Sequence, residues 1–381
     1  MLKPRIRFND FTNEWQPLSL GEVTLFKRGY DLPTSQRVDG EFPVISSSGY
    51  SGRHSEYKVN GPGLVTGRYG SIGEIYLVNE PHWPLNTALY VDNLFNNNIH
   101  YCYFLLQTID FKRFSDKTGV PGVNRNDLHK IQTAIPSIQE QQKIADFLTS
   151  VDTKISQLTE KHRLLKEYKK GVMQQIFSQQ IRFKDKDGEE FPEWKEFLFS
   201  DIAQFSKGKG ISKSDIVENG KTPCIRYGEL YTIYGEVINS ISSYTNVETS
   251  ALILSEINDV ILPCSGETQI DIATASCVTI PNVAYSGDLT IVKSKINGVF
   301  LSYFLNSAKK TTIAALSQGS SVIHLYASHL KTMKLTVPTS KEEQHKIAQF
   351  LQSIDQKIDA VAEQIEQTKQ FKKGLLQQMF V

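Results

Sequence analysis

Residues 140–177 and 343–380 are one 38-residue segment written twice, at a constant offset of 203 and without a gap. The first copy reads EQQKIADFLTSVDTKISQLTEKHRLLKEYKKGVMQQIF and the second EQHKIAQFLQSIDQKIDAVAEQIEQTKQFKKGLLQQMF, identical at 19 of 38 positions. A repeat of this length dictates architecture before local propensities are weighed. It divides the chain into a variable region (1–137), a helix (138–179), a second variable region (180–339) and a second helix (340–381).

Apolar spacing makes both copies helical. The first seam runs Ile144, Leu148, Val151, Ile155, Leu158, His162, Leu165, Lys169, Val172, Ile176. The second runs Ile347, Leu351, Ile354, Ile358, Val361, Ile365, Thr368, Lys372, Leu375, Met379. Steps of four and three alternate, the 3.5-residue period of a coiled-coil seam. Phe147 with Tyr168, and Phe350 with Phe371, are expected to widen the apolar face. Neither copy contains proline, and Pro136 and Pro338 stand just before them, where a helix start tolerates it. Each helix should be about 57 Å long at about 1.5 Å per residue. A parallel pairing would need a return connector of that length, which the sequence does not provide. The expected fold is α+β: two mixed α/β domains at opposite ends of a long antiparallel two-helix coiled coil, with a pseudo-twofold internal repeat.

The repeat extends weakly into the variable regions. Arg7, Phe8 and Trp15 return as Arg182, Phe183 and Trp194; Tyr103-Phe104-Leu105 returns as Tyr303-Phe304-Leu305; Gly119 is echoed by Gly319. Between these anchors the two regions share almost nothing, which points to related modules reading different things.

The chain is long enough for two to three domains with their own cores. Its 42 Lys and Arg stand against 41 Asp and Glu, so no overall basic excess announces a polyanion binder. Any nucleic-acid face must be a local patch, or a partner must supply positive field. No apolar run approaches membrane-spanning length and the N-terminus lacks a signal-peptide core, so a cytoplasmic protein is expected. Cys102, Cys224, Cys264 and Cys277 form neither a CxxC pair nor a His/Cys zinc spacing, and are expected to be reduced structural thiols.

No GxxxxGK[ST] loop, no Asn/Asp-Pro-Pro-aromatic run, no HExxH and no strand–GxSxG–helix context occurs, and the scattered histidines complete no Cys/His zinc pattern. The 61–68 stretch has the wrong spacing for a phosphate loop, and Arg68 where lysine is needed. Catalysis and metal binding by this chain alone are therefore not expected.

At the two helix openings (Pro136, Glu140, Gln141, Phe147, Leu148 and Pro338, Glu343, Gln344, Phe350, Leu351) and the repeated Lys-Lys-Gly at 169–171 and 372–374, the chain resembles the specificity subunit of type I restriction-modification systems over its full length. The resemblance implies two target-recognition domains, each reading one half of a split double-stranded DNA sequence. It implies that the helices space the halves and dock two copies of a methyltransferase subunit carrying S-adenosylmethionine for adenine modification. An ATP- and Mg-dependent restriction and translocase subunit would complete the assembly. No cofactor is expected on this chain. The alternative is a coiled-coil scaffold whose end domains bind proteins, with no DNA role.

On that reading the DNA contacts lie in loops. Glycines flanking Arg68 and Tyr69 permit a tight turn that projects both outward. Arginine commonly reads guanine O6 and N7, and tyrosine can bind phosphate or insert; a solvated hairpin is the competing reading. A polar loop over 46–54 offers Ser47, Ser48, Arg53 and His54. Lys112 and Arg113 lie near the end of an expected helix, where dipole complementation competes. Asn124 and Arg125 follow a turn-rich segment, and Asn126 and Asp127 could equally form a helix cap. In region two, Lys207 and Lys209 sit on glycine-flanked backbone, and Arg226 and Tyr227 follow a strand-like run. Ser265, Glu267, Thr268 and Gln269 align loosely with the Arg68 turn, the Glu and Gln suiting cytosine and adenine edges. Ser320, Ser321, His324 and Tyr326 correspond to the Asn124 segment.

Gly171 and Gly374 recur at one helix register. Glycine there costs about 1 kcal/mol relative to alanine, and close approach of a partner helix is the preferred reason. The adjoining lysines are expected on a solvated face, and His162 as a satisfied seam residue.

Overall fold

The computed structural model describes residues 3–115, 122–319 and 322–381. The chain divides into two compact units, residues 1–160 with 361–381 and residues 161–360. Each combines a variable region with part of both long helices, Ile138–Phe177 and Lys341–Met379.

In the first unit a four-stranded sheet runs in the order Leu25–Arg28, Ala88–Asn93, Gly63–Gly67, Ile75–Val78. A three-stranded sheet orders Gly49–His54, Phe42–Ser46 and Trp83–Pro84, the last pair parallel. The region's first strand, Gln16–Ser19, pairs antiparallel with its last, Gln132–Ile135. In the second unit the main sheet runs Ala203–Lys207, Leu289–Ser294, Asp259–Pro263, Ser276–Val278, Val237–Ile238. Its first four strands follow the order of the first unit's sheet and one strand is added. A parallel pair, Thr222–Ile225 with Ala284–Tyr285, and a closing antiparallel pair, Lys195–Leu198 with Lys334–Val337, also recur. Gly63–Gly67 and Asp259–Pro263 are buried along their whole length, as short runs bounded by turn residues and flanked by strands should be.

The regions thus share a scaffold that their sequences conceal, and the retained anchors explain how it is attached. Arg7 donates from Nε and Nη2 to both oxygens of Glu140 at 2.7 Å, and Trp15 Nε1 donates to the same carboxylate at 3.3 Å. In the second unit Arg182 and Trp194 Nε1 converge on Glu343 at 3.1 Å. Glu140 and Glu343 are 1% and 0% exposed, so the cation and donors replace the hydration each carboxylate loses on burial. The next residue finishes the joint. Gln141 and Gln344 accept from the backbone N–H of Asn98 and Asn297 at 3.0 and 2.9 Å. Those asparagines cap the helices Ile99–Gln107 and Gly298–Ser307 by accepting from Tyr101 and Phe300 N–H at 2.9 Å.

Helix pairing is antiparallel within each unit. In the first, Ile144, Leu148 and Val151 share a core with Leu375 and Met379. In the second, Val172 and Ile176 share one with Ile347, Leu351, Ile354 and Ile358. The seam keeps its 3.5-residue period. Tyr168 and Phe371 do not belong to it, contrary to expectation: both are 54% exposed, while Phe147 and Phe350 turn to the lead-in rings of Phe8 and Phe183 at 5.9 and 5.5 Å. Lys169 and Lys372 are not solvated either. Lys169 pairs with Asp355 at 2.7 Å and Glu236 at 2.8 Å, and Lys372 with Asp152 at 2.7 Å. Burial works against the Lys169 charge, but the two carboxylates outweigh it and hold its pKa above the ordinary lysine value. Lys170 and Lys373 are exposed and make no ion pair among the described residues.

All four cysteines are free; Cys102, Cys224 and Cys277 are buried, and burial pushes the Cys102 and Cys277 thiols up to about 12. They pack as small apolar groups and are poor nucleophiles.

Candidate nucleic-acid interface

In the first unit the structure brings two of the candidate segments together. Arg68 and Tyr69 do not project from a hairpin tip. Both donate backbone N–H to Thr87 O, at 2.9 and 3.3 Å, and Val123 N–H donates to Arg68 O at 2.9 Å. The reversal falls one step later, at Gly70 and Gly73 with φ of 72° and 88°. Tyr69 is half-buried because its ring lies against Gly122, where a Cβ would come within 2.4 Å of it. The Arg68 guanidinium lies over the Tyr69 ring at 4.6 Å and makes no ion pair among the described residues. Arg68 is therefore held by its neighbour while keeping its donors free.

Asn124, not Asn126 or Asp127, caps the helix Arg125–His129, accepting from Asn126 N–H at 3.0 Å. The cap uses its side-chain oxygen, while Arg125 beside it is exposed and has no ion pair among the described residues. Lys112 and Arg113 lie on a 3₁₀ turn, Phe111–Phe114, and Arg113 pairs with Asp110 at 3.1 Å.

The 46–54 stretch is not a loop. Phe42–Ser46 and Gly49–His54 form a hairpin, and only Ser47 and Ser48 make its turn. Gly49 at φ 91° and Gly52 at φ 114° let glycine-rich sequence stay in strand pairing. Arg53 is exposed and donates to Glu41 O. His54 leaves the candidate set: it is 5% exposed, its Nδ1 is 3.1 Å from Val38 N, and it packs edge-on to Trp83 at 5.2 Å.

The second unit places the corresponding segments together in the same way. Ser265–Gly266 follows the central strand and pairs antiparallel with Ile323–His324. Ser265 is 7% exposed and donates to Asp288 at 3.2 Å, and Lys207 meets the same carboxylate at 3.6 Å. Ser265 is therefore structural. Thr268 caps the short helix Gln269–Ile272, and its hydroxyl bonds Asp271. Glu267 and Gln269 are exposed and make no hydrogen bond or ion pair among the described residues. His324 and Tyr326 are exposed and stacked at 6.3 Å. Lys209 is exposed. Tyr227 is half-buried. Arg226 is committed elsewhere, donating from Nε and Nη2 to buried Glu229 at 3.0 and 2.9 Å. Ser320 and Ser321 lie outside the described residues.

Sequence reasoning missed the Glu140 and Glu343 joints. Their signal was the identical Glu-Gln pair and the identical Arg and Trp, visible as a pattern but not assembled. It also missed exposed Ile270 and Val322 beside Glu267 and His324, for which no motif exists. Gly171 and Gly374 are not filled by the chain itself: a Cβ on Gly171 meets nothing within 4 Å, and one on Gly374 meets only Gln378 at 3.8 Å. The partner-helix reason, taken within the chain, is thus corrected. Each glycine lies one helical turn from an exposed aromatic, Tyr168 or Phe371.

The sequence profile of the type I restriction modification DNA specificity domain matches residues 12–167 and 192–370. The chain belongs to this family of DNA sequence-specificity subunits. The specificity subunit is similar, at 24% identity, to the type I restriction enzyme MjaVIII specificity subunit of Methanocaldococcus jannaschii, over 95% of this chain and 91% of that one. It shares its fold with the S subunit of a type I restriction-modification system from M. genitalium at a TM-score of 0.63 and 16% identity, over 100% and 99% of the two chains. A second solved chain, from work on complex assembly and conformational transition of the type I R-M system, matches at 0.55 and 15%, over 96% and 97%. Family membership does not favour a scaffold with no DNA role. Among the described residues no group of three or more His, Cys, Asp or Glu side chains is placed to hold a metal ion, and no helix is long and apolar enough to cross a membrane.

Proposed function

We propose that the specificity subunit reads a bipartite double-stranded DNA target, with residues 1–137 and 180–339 as its two target-recognition domains and 138–179 and 340–381 as the helical repeats. The observation that carries this reading is one sheet order built twice with different side chains on the loop that follows the central strand. In the first domain that loop carries Arg68, which makes no ion pair among the described residues and is bonded through its carbonyl to Val123, two residues before exposed Arg125; in the second it carries exposed Glu267, next to the pairing with Ile323–His324. Phosphate contacts position such a surface and base-edge contacts specify it.

The helices dock two methyltransferase copies. Supporting this, the outward patch of exposed aromatic, lysine and unfilled glycine occurs once per repeat, at 168–171 and 371–374. The methyltransferase brings S-adenosylmethionine, and a restriction and translocase subunit brings ATP and Mg. The specificity subunit works in the cytoplasm, binds no cofactor and performs no chemistry itself. The test is to map methylated adenines in DNA exposed to this subunit with its methyltransferase, then to replace residues 195–337 with those of a relative. One half of the methylated motif should change and the other should persist. If both halves change together, the modular reading fails.

A further inference from the structure

Resting on this DNA-reading function, the two domains differ in the side chain best suited to guanine. Residues 1–137 contain eight arginines, and residues 180–339 contain two, Arg182 and Arg226. Neither of the two is available. Arg182 is spent on buried Glu343 and on the carbonyls of Phe191 and Pro192. Arg226 is spent on Glu229, which is 2% exposed and also accepts from Ser243 Oγ. Moving either guanidinium to DNA would strand a buried carboxylate. The second domain therefore has no free guanidinium fork with which to grip guanine O6 and N7.

The corresponding loop instead presents an acceptor. Glu267 follows the Ser265–Gly266 pair directly, is exposed, and is bound by no cation among the described residues. A carboxylate beside DNA is repelled by phosphates and accepts hydrogen bonds without donating any. The base-edge groups that reward it are the exocyclic amines, cytosine N4 and adenine N6 in the major groove. Exposed apolar side chains lie on the segments that adjoin Glu267: Ile270 on the short helix that follows and Val322 next to the paired strand Ile323–His324 are each 52% exposed, and apolar side chains suit the thymine methyl.

We propose that the second domain reads its half-site without arginine, and that Glu267 is a specificity-determining residue accepting from the amino group of a cytosine or adenine. A G·C pair contacted by Glu267 is then recognised from its cytosine, whereas the first domain can use Arg68 or Arg125 on guanine.

The test uses the full chain assembled with its methyltransferase subunit, with methylation and binding measured on duplexes carrying each base at every position of both half-sites. Glu267→Gln and Glu267→Ala should lower discrimination at one position of the second half-site by about fivefold to 150-fold and leave the first unchanged. Because Glu267 is exposed and makes no hydrogen bond or ion pair among the described residues, both variants should unfold at the wild-type temperature. Unchanged discrimination throughout the second half-site would overturn the assignment. So would tighter binding to all duplexes alike, which would mark Glu267 as a bystander repelled by phosphate. Wild-type complex without sequence preference would instead overturn the DNA-reading function itself.

Discussion

The strand Gly63–Gly67 in the first unit and the strand Asp259–Pro263 in the second occupy the same place in the same sheet order, and both are fully buried. The segments that leave these two strands differ in kind. The first strand continues into Arg68 and Tyr69, stacked on each other and bonded to Thr87 and Val123. The second continues into a buried serine and a free glutamate. Burial asks a strand only for apolar side chains of suitable volume, so many sequences satisfy it. A buried carboxylate asks for a cation and donors in fixed geometry, and few sequences do. That is why Glu140 and Glu343 kept identical partners while the strands around them drifted.

The largest effect should come from breaking that shared joint. Glu140→Ala leaves Arg7 with no carboxylate, and Glu343→Ala does the same to Arg182; losing one member of a buried pair costs about 3–5 kcal/mol. Denaturant unfolding should register both losses, and hydrogen exchange should localise each to its own unit. A large loss in one variant with none in the other would show that the two joints are not equivalent.

These joints also mark the limit of what could be read in advance. The seam residues and the helix bounds were legible because a 3.5-residue period needs no partner to be recognised. The strand Gly49–His54 was not, because glycines and serines signal a loop, and the positive φ of Gly49 and Gly52 that keeps them in strand pairing is not visible in sequence. The removal of His54 and Ser265 from the candidate surface depended on Val38 and Asp288, 16 and 23 residues away. Nothing in a linear pattern reveals which polar side chain is already satisfied.

A second comparison sets Lys169 against Lys372. Lys169→Met would leave both Asp355 and Glu236 without a cation, whereas Lys372→Met would leave Asp152 alone beside neutral Gln107. Removing one partner of a part-buried charged pair costs about 1–3 kcal/mol, and Lys169→Met should lie at the upper end. Burial already pushes the Asp355 carboxyl above its ordinary range, with Lys169 opposing. Without the lysine the folded state binds that proton more tightly than the unfolded state. Stability lost in the variant is therefore recovered as pH falls toward the carboxylate range and lost again as it rises. Thermal unfolding at several pH values would check this; a penalty independent of pH would mean that packing, not charge, is what Lys169 supplies.

On the reading surface, Arg68→Ala with Tyr69→Ala should weaken discrimination at one or two positions of the first half-site, by about 1–3 kcal/mol per lost base contact. Binding to half-site variants would separate the outcomes. An equal loss on every sequence would make the pair phosphate contacts, and no loss would return them to solvated surface.

The smallest effect sharpens the comparison between the two helical repeats. Gly171→Ala and Gly374→Ala place a methyl where the first finds nothing within 4 Å and the second only an ordinary contact with Gln378. With no clash to oppose it, the gain in helix propensity should stabilise the free chain by about 0.5–1 kcal/mol for each substitution. A glycine kept twice at a position where alanine would be more stable implies a cost borne for assembly. Beside it stands an exposed aromatic in each repeat, so an incoming helix could seat its backbone over the glycine and cover the ring. On the proposed docking of two methyltransferase copies, each variant should raise the unfolding temperature of the free chain while weakening one association, as read by titration calorimetry or native mass spectrometry. The double variant should lose both. If the substitutions stabilise the chain and assembly is untouched, the repeated glycine serves no docking role, and the two copies retain it without a reason that packing can supply.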